Sequence, residues 1–210
     1  IGPGATVLVK RAGDVVPNIH KVLKPAIVVM PDDDWIWDKT DTHIYLTDIE
    51  NNQSVQLRRI YKFFEKLEIA NVSKKTCDKL YKHGYKTIQS IITMEKTKFK
   101  SIPGFGKKLG DKIFNSIQEK LNNLDLVKLM DSSNCFSRGF GPKKIKSVVE
   151  CYPDIFSFKL SKEDIEEVGR FSCESAKKFV KDYNQFIKFY NEISDNINIT
   201  HLWEDGPEFS

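Results

Sequence analysis

Little in this chain could hold a structural metal or cross a membrane. Its 210 residues include only four cysteines, Cys77, Cys135, Cys151 and Cys173, spaced far apart with no CxxC pair. That spacing excludes a zinc cluster and a disulfide framework, and the four read as reduced, mostly buried thiols of a cytosol-like compartment. No apolar run approaches the ~20 residues of a membrane span. The opening residues, Ile1-Gly2-Pro3-Gly4-Ala5-Thr6, have neither an initiator Met nor a basic segment leading into an apolar one, so no secretory signal is expected and a fragment of a longer chain is. Arginine is scarce, 5 against 28 Lys, which favours phosphate contacts over bidentate reading of bases. Proline is absent between Val55 and Pro103, which leaves that stretch open to helix.

What is present, 40% hydrophobic and 30% charged residues, suits one or two soluble domains with cores of their own. The net charge of +4 is unevenly spread: residues 1–60 carry 7 Lys/Arg against 8 Asp/Glu, residues 61–193 carry 26 against 17, and the last residues none against 4. A basic surplus is either a solvated lysine face or a nucleic-acid surface, and charge alone leaves both open.

Residues 5–10 and 15–23 are β-branched, alternating runs joined by Arg11-Ala12-Gly13-Asp14, which predicts two strands around a tight turn. A second pair is expected at Ala26–Met30 and His43–Thr47, with Pro31-Asp32-Asp33-Asp34 as an acidic turn. From Val55 the period becomes helical, with Val55, Leu57, Ile60, Phe63, Phe64 and Leu67 on one apolar face. The stretch from Asn196 onward has little periodicity and reads as a flexible end or linker. The expected division is therefore a β part over 1–54, a helical part over 55–193 and a tail over 194–210. Asn51-Asn52-Gln53 is the expected hinge between the first two.

The helical part repeats. Asn71-Val72-Ser73, Gly104-Phe105-Gly106, Gly139-Phe140-Gly141 and Arg170-Phe171-Ser172 stand at matching positions of four units, 33, 35 and 31 residues apart. Each unit closes with an apolar residue eight positions after its central one, namely Leu80, Ile113, Val148 and Phe179, as a buried second helix requires. In the second unit Pro103 and Gly104 form a turn, Phe105 plugs the core and Gly106 opens the next helix. Glycine has no Cβ, so backbone N–H groups at that helix start can reach a phosphate oxygen, and the helix dipole favours the anion. Lys107 and Lys108 add charge beside it, as Lys143 and Lys144 do in the third unit and Lys74 and Lys75 in the first. Asn71 and Ser73 replace the first unit's glycines, which preserves the turn and weakens phosphate access. The fourth unit, with Arg170, Ser172 and Cys173-Glu174 at these places, is expected to be packing. One Gly-apolar-Gly turn is weak evidence, since turns of pure packing also use glycine. Four in register, three of them followed by paired lysines, favour phosphate binding that fixes register on a duplex without reading sequence.

These repeats resemble tandem helix-hairpin-helix motifs. Arg11-Ala12-Gly13-Asp14-Val15-Val16-Pro17 resembles the Arg-Ala-Gly-Asp-Val-Ile-Pro signature of NAD-dependent DNA ligases, where it lies in an oligonucleotide-binding (OB) fold followed by a zinc finger and four helix-hairpin-helix units. The order of parts agrees over roughly residues 1–190. The resemblance implies an α+β multi-domain protein: a partial β-barrel (OB fold) followed by an all-α tandem helix-hairpin-helix domain. It also implies a monomer that clamps nicked double-stranded DNA, in a bacterial nucleoid or at a viral replication site, for replication and repair. Arg11 would contact backbone near the nick, and Val15 and Val16 would press on the minor groove; ordinary strand core is the other reading of the valines. Asp14 reads as a turn cap rather than a catalytic group.

Three features depart from that family. Between Leu23 and Lys62 there is no cysteine and one histidine, His43, so no zinc is expected, and Trp35, Trp37 and Tyr45 should form the core of a metal-free linker. No BRCT domain is expected after the fourth unit. No Lys-x-Asp-Gly, the motif of the adenylation domain whose lysine nucleophile uses NAD and magnesium, occurs in these residues, so that domain and the first strands of the OB fold are expected upstream of Ile1. The fragment alone should then be inactive, one limb of a reduced, viral or AT-rich-genome enzyme. Two other classes remain open on the residues alone: a non-enzymatic DNA-binding or repair scaffold of the same parts, and a helical protein-interaction domain with solvating lysines.

Overall fold

The β-branched runs pair as expected, β1 (Thr6–Ala12) with β2 (Val16–Lys24), antiparallel with register irregularities at Thr6/Val7 and Leu8/Val9. This computed structural model describes residues 1–12 and 16–203. Gly13, Asp14 and Val15, the expected turn, therefore lie outside the described residues, as does the acidic end from Glu204. The chain divides into two units, Ile1–Asn51 and Asn52–Ser210.

The first unit has almost no interior. Gly2 is its one buried residue among those described, because its missing Cβ admits the carbonyl of Ile27. Leu8, Val9, Ile19, Val22 and Leu23 of the ribbon are exposed, as a lone two-stranded ribbon leaves them. Its described strands form two-stranded sheets and no closed barrel. The second strand pair is shifted from expectation: β3 (Trp35–Trp37), not Ala26–Met30, pairs with β4 (Ile44–Leu46). The turn decides it. Asp38 Oδ1 accepts from the backbone N–H groups of Thr40, Thr42 and His43 at 3.1, 2.9 and 3.3 Å and nucleates the reversal there, whereas 26–30 is bounded by Pro25 and Pro31, which lack N–H groups. Trp35 and Trp37 meet edge to face at 5.6 Å, but Trp37 and Tyr45 are exposed, so these aromatics form no buried linker core.

In the second unit the helical face beginning at Val55 becomes α1 (Gln53–Lys66), capped by Asn52, whose side chain accepts from Val55 N–H, and burying Ile60, Phe63 and Phe64. There follow α2 (Lys74–Lys82), α3 (Ile88–Ile92), α4 (Lys96–Ser101), α5 (Gly106–Leu121), a two-residue β5 (Leu124–Asp125), α6 (Leu126–Ser132), α7 (Pro142–Cys151), α8 (Lys162–Glu167) and α9 (Cys173–Ile193). α1–α2, α4–α5, α6–α7 and α8–α9 are the four helix pairs, and α3 is a connector. The closing residues Leu80, Ile113, Val148 and Phe179 are all fully buried, in one continuous core with the plugs Val72, Phe105 and Phe140. α4 ends where it must: Ile102 precedes Pro103 and is extended, at φ −68°, ψ 124°.

Two expectations fail here. The stretch after Asn196 is not loose up to Trp203. β6 (Ile199–His201) runs parallel to β5, Asn198 N–H donates to Leu121 O at 2.7 Å, and Val127 N–H donates to Leu202 O at 3.1 Å. Ile197, Ile199, Leu202 and Trp203 pack on the core, so this strap ties the end of α9 to the joint between the second and third hairpins. Of the four free cysteines only Cys77 is buried; burial pushes its thiol up to about 12. Cys151 and Cys173 are exposed, at the last turn of α7 and the first of α9.

Candidate nucleic-acid interface

All four hairpins turn the same way. The first residue of each tripeptide is left-handed: Asn71 at φ 65°, Gly104 at 81°, Gly139 at 102° and Arg170 at 63°. Asn and Gly adopt this region readily and Arg does not. The central residue then drops into the core; Phe171, half-buried, stacks on Phe140 at 6.0 Å and meets Phe179 edge to face at 5.3 Å. Phe171 thus joins the fourth unit to the core.

The third residue separates the hairpins. Ser73 and Ser172 are extended N-caps whose hydroxyls accept from Thr76 N–H at 3.2 Å and Ser175 N–H at 3.3 Å, each in a reciprocal capping box. Gly141 is likewise an extended N-cap, φ −87°, ψ 179°, but with no side chain to accept, and Pro142 follows at the first helical position. The second hairpin, best preserved in sequence, is locally different: Phe105 is the N-cap in helical geometry, and Gly106 at φ 62° is the first helical residue. Neither α5 nor α7 has a side-chain cap; in α7 Pro142 has no N–H and Lys144 N–H donates to Gly141 O at 3.0 Å, so the amide left at its first turn is that of Lys143.

Charge divides the hairpins differently. α2, α5 and α7 have no acidic residue in the first turn, although a helix dipole favours one there. Lys74, Lys75, Lys107, Lys108 and Lys143 stand at these positive ends, all exposed. α9 carries Glu174 in its first turn and obeys the ordinary preference. Positive side chains set against a positive helix end cost about 0.3–1 kcal/mol each, which an anion at that end reverses.

The remaining site residues are less uniform. Lys144 is half-buried, its ammonium 5.5 Å from the Phe140 ring centroid and 5.1 Å from that of Phe171, so it spans the third and fourth hairpins. Asn71 is exposed and donates through Nδ2 to Ser116 Oγ at 3.0 Å, which anchors the first hairpin to α5. Arg11 is exposed on β1 opposite Pro17, and Val16 opens β2 opposite Ala12; Val15 lies outside the described residues. One residue escaped the sequence reading. Lys79 of α2 donates to Gly104 O at 3.3 Å and lies 5.6 Å from the Phe105 ring centroid, so a cation of the first hairpin's helix rests on the turn of the second. Its spacing of four from Lys75 placed both on one helix face, which was the available signal.

Behind the second hairpin, Gly110 lets α5 approach α4: a Cβ there would lie 3.0 Å from Phe99 O and 3.1 Å from Lys100 Cα. The Lys100 ammonium, 3.1 Å from Asp111 Oδ1, and that of Lys96, at 3.4 Å, hold the Asp111 carboxyl below the usual carboxylate range. Among the described residues, no His, Cys, Asp and Glu side chains gather into a metal-ligating group, and no helix is long and apolar enough to cross a membrane.

A family described as SAM-like helix-hairpin-helix tandem matches residues 63–119, which span the first two hairpins. A protein named DNA ligase from Acanthamoeba polyphaga mimivirus is 37% identical over 206 residues, 95% of this chain and 32% of that protein. DNA ligases of Shewanella baltica and of Vesicomyosocius okutanii subsp. Calyptogena okutanii are each 26% identical over 95% and 92% of the chain. The chain spans about a third of the length of these relatives.

Proposed function

From the chain's similarity to proteins named DNA ligase over about a third of their length, we propose that it is the DNA-gripping portion of an NAD-dependent ligase that seals nicks in duplex DNA during replication and repair. The uncapped, lysine-flanked helix starts of α5 and α7 carry this reading. Each offers backbone N–H groups and a dipole to one phosphate, with Lys107, Lys108, Lys143 and Lys144 closing around it. The first hairpin, through Lys74 and Lys75, contributes charge rather than amides, since Ser73 already occupies its N3 donor. Such contacts read backbone and not bases, as a sealing enzyme that must act at any sequence needs.

On this reading the β1–β2 ribbon is part of an OB fold completed by residues of the parent protein outside these 210. Arg11 meets backbone near the nick, and Val15 and Val16 press on the minor groove. Adenylation, with NAD and magnesium, belongs to a separate domain of that parent. The closed complex is one monomer on one nicked duplex, at a nucleoid or a viral replication site.

Anisotropy of a labelled nicked duplex against the 210-residue chain tests this. Two to four phosphate contacts give a log–log salt slope of about −2 to −4. A slope near zero would leave the lysines as solvation only and remove the DNA reading. The upstream reading frame of the parent tests the finer part: a Lys-x-Asp-Gly adenylation domain is expected there, and its absence would return the chain to a non-enzymatic scaffold.

A further inference from the structure

The fourth hairpin departs from the others in a way that packing does not explain. Arginine occupies its left-handed position, φ 63°, where the second and third hairpins use glycine. A non-glycine residue held there is strained, and such strain gathers at functional sites. The amides of α9 are not what it serves, for Ser172 caps them and Glu174 neutralises the helix end. What this hairpin offers is the Arg170 side chain.

That side chain lines a cleft of about 420 Å³ together with Lys143 and Lys146 of α7. Glu150 stands on the same wall, 3.8 Å from the Lys146 ammonium, and offsets one of the three cations. The matching cleft between the first hairpin and α5, about 300 Å³, is lined by Glu68, Glu119 and Lys120, so its charge has the opposite sign. Lys146 is engaged by Glu150, and the two remaining cations, Lys143 and Arg170, leave the concavity with a positive surplus that an anion among them would relieve. A phosphodiester fits: its two free oxygens match the planar guanidinium fork, and the lysines act as point charges beside it. Lys143 also stands in the first turn of α7, at the third hairpin's helix start, so the cleft and that start are continuous.

We propose that the cleft of Lys143, Lys146 and Arg170 is a second phosphodiester subsite, taking a backbone phosphate of the same DNA strand whose neighbour lies at the third hairpin, with Arg170 as its clamp. The proposal rests on the DNA-gripping reading above. It reverses the purely structural role that the missing glycines suggest for the fourth hairpin.

Arg170→Gly in the 210-residue chain separates fold from charge, because glycine accepts the left-handed turn. Its melting temperature is expected to hold or rise, while duplex affinity at about 0.1 M salt falls roughly fivefold and the log–log salt slope shrinks by about one. Arg170→Lys should recover most of that slope and less of the affinity. Unchanged affinity and slope in a folded Arg170→Gly chain overturns the subsite while leaving the DNA-gripping reading intact; that wider reading fails only if the unaltered chain itself lacks salt-dependent duplex binding. Inorganic phosphate, titrated alone by calorimetry, covers the other source of the same chemistry. No saturable binding below the millimolar range is expected. A saturable phosphate site lost in Arg170→Gly, with duplex affinity unchanged, would assign the cleft to free phosphate and overturn the proposal.

Discussion

The second and third hairpins and the first and fourth share one backbone turn and differ in what becomes of the helix amides behind it. In the first and fourth a serine hydroxyl accepts the N3 amide, so the helix start is satisfied within the chain. In the second and third no side chain accepts at the helix start: Phe105 caps α5, and at α7 Gly141 O takes the Lys144 N–H while the Lys143 amide is left to an outside partner. Relative to serine, a glycine cap gives up only a few tenths of a kcal/mol, so binding capacity costs the fold little. Charge sharpens the contrast for α9 alone, the one helix of the four with an acid in its first turn. The first hairpin is therefore mixed: capped like the fourth, yet lysine-flanked like the second and third.

The largest expected effect comes from closing a glycine turn. Gly139→Val places a β-branched residue at φ 102°, outside the left-handed region that Asn or Arg can occupy. Duplex affinity should fall more than about tenfold, or 1.4 kcal/mol and upward, since both turn geometry and amide access are lost. Anisotropy with a nicked duplex measures it, beside Gly104→Val at φ 81° and Arg170→Ala as the milder change. Equal losses from all three would erase the distinction between the hairpins.

Gly110→Ala tests what holds the second hairpin's helices together. The new methyl group would meet backbone of α4 at 3.0–3.1 Å, and backbone cannot swing aside as a side chain can. Alanine improves helix propensity by ~1 kcal/mol, so the net loss of stability should be on the order of 1 kcal/mol, read by urea unfolding. A gain instead would mean that α4 and α5 separate freely.

Exchanging the caps addresses the comparison most directly. Gly141 is extended with open space around its Cβ position, so Gly141→Ser fits without strain. It should stabilise α7 by a few tenths of a kcal/mol and weaken duplex binding about threefold, as its hydroxyl competes with a phosphate for space and donors at the helix start. Ser73→Gly should do the reverse. If both changes move affinity in the same direction, cap competition is not what separates the hairpins.

Much of this arrangement is legible in the residues, for a definite reason. Each tripeptide sits a set number of positions before a buried residue on a helix of fixed pitch, so Leu80, Ile113, Val148 and Phe179 all reach the core. What the repeat could not convey depends on other segments. Lys79 acts on a turn 25 residues away, and β5 spans two residues whose partner strand lies more than 70 residues on, too short to show a period. The strand at Trp35–Trp37 was hidden because Asp38's side-chain bonds, not alternation, place the reversal. The break between Phe105 and Gly106 was hidden by the very glycines that made this hairpin look the most regular, since glycine permits either geometry.

The smallest expected effect concerns the ion pairs behind the second hairpin, which join α4 to α5. Asp111 is held below the usual carboxylate range, first by Lys100 and then by Lys96. A folded value below the unfolded one, near 3.8, adds stability that is fully present above the unfolded value and is lost as pH falls through the folded one. Asp111→Asn should therefore lower the melting temperature slightly at neutral pH, and the difference from the unaltered chain should close as pH drops below about 4. The pairs are partly exposed, with 34% of the Asp111 side-chain surface accessible, so added salt should close the same gap at neutral pH. A difference that survives both acid and salt would mean that Asp111 supports α5 by packing rather than by charge.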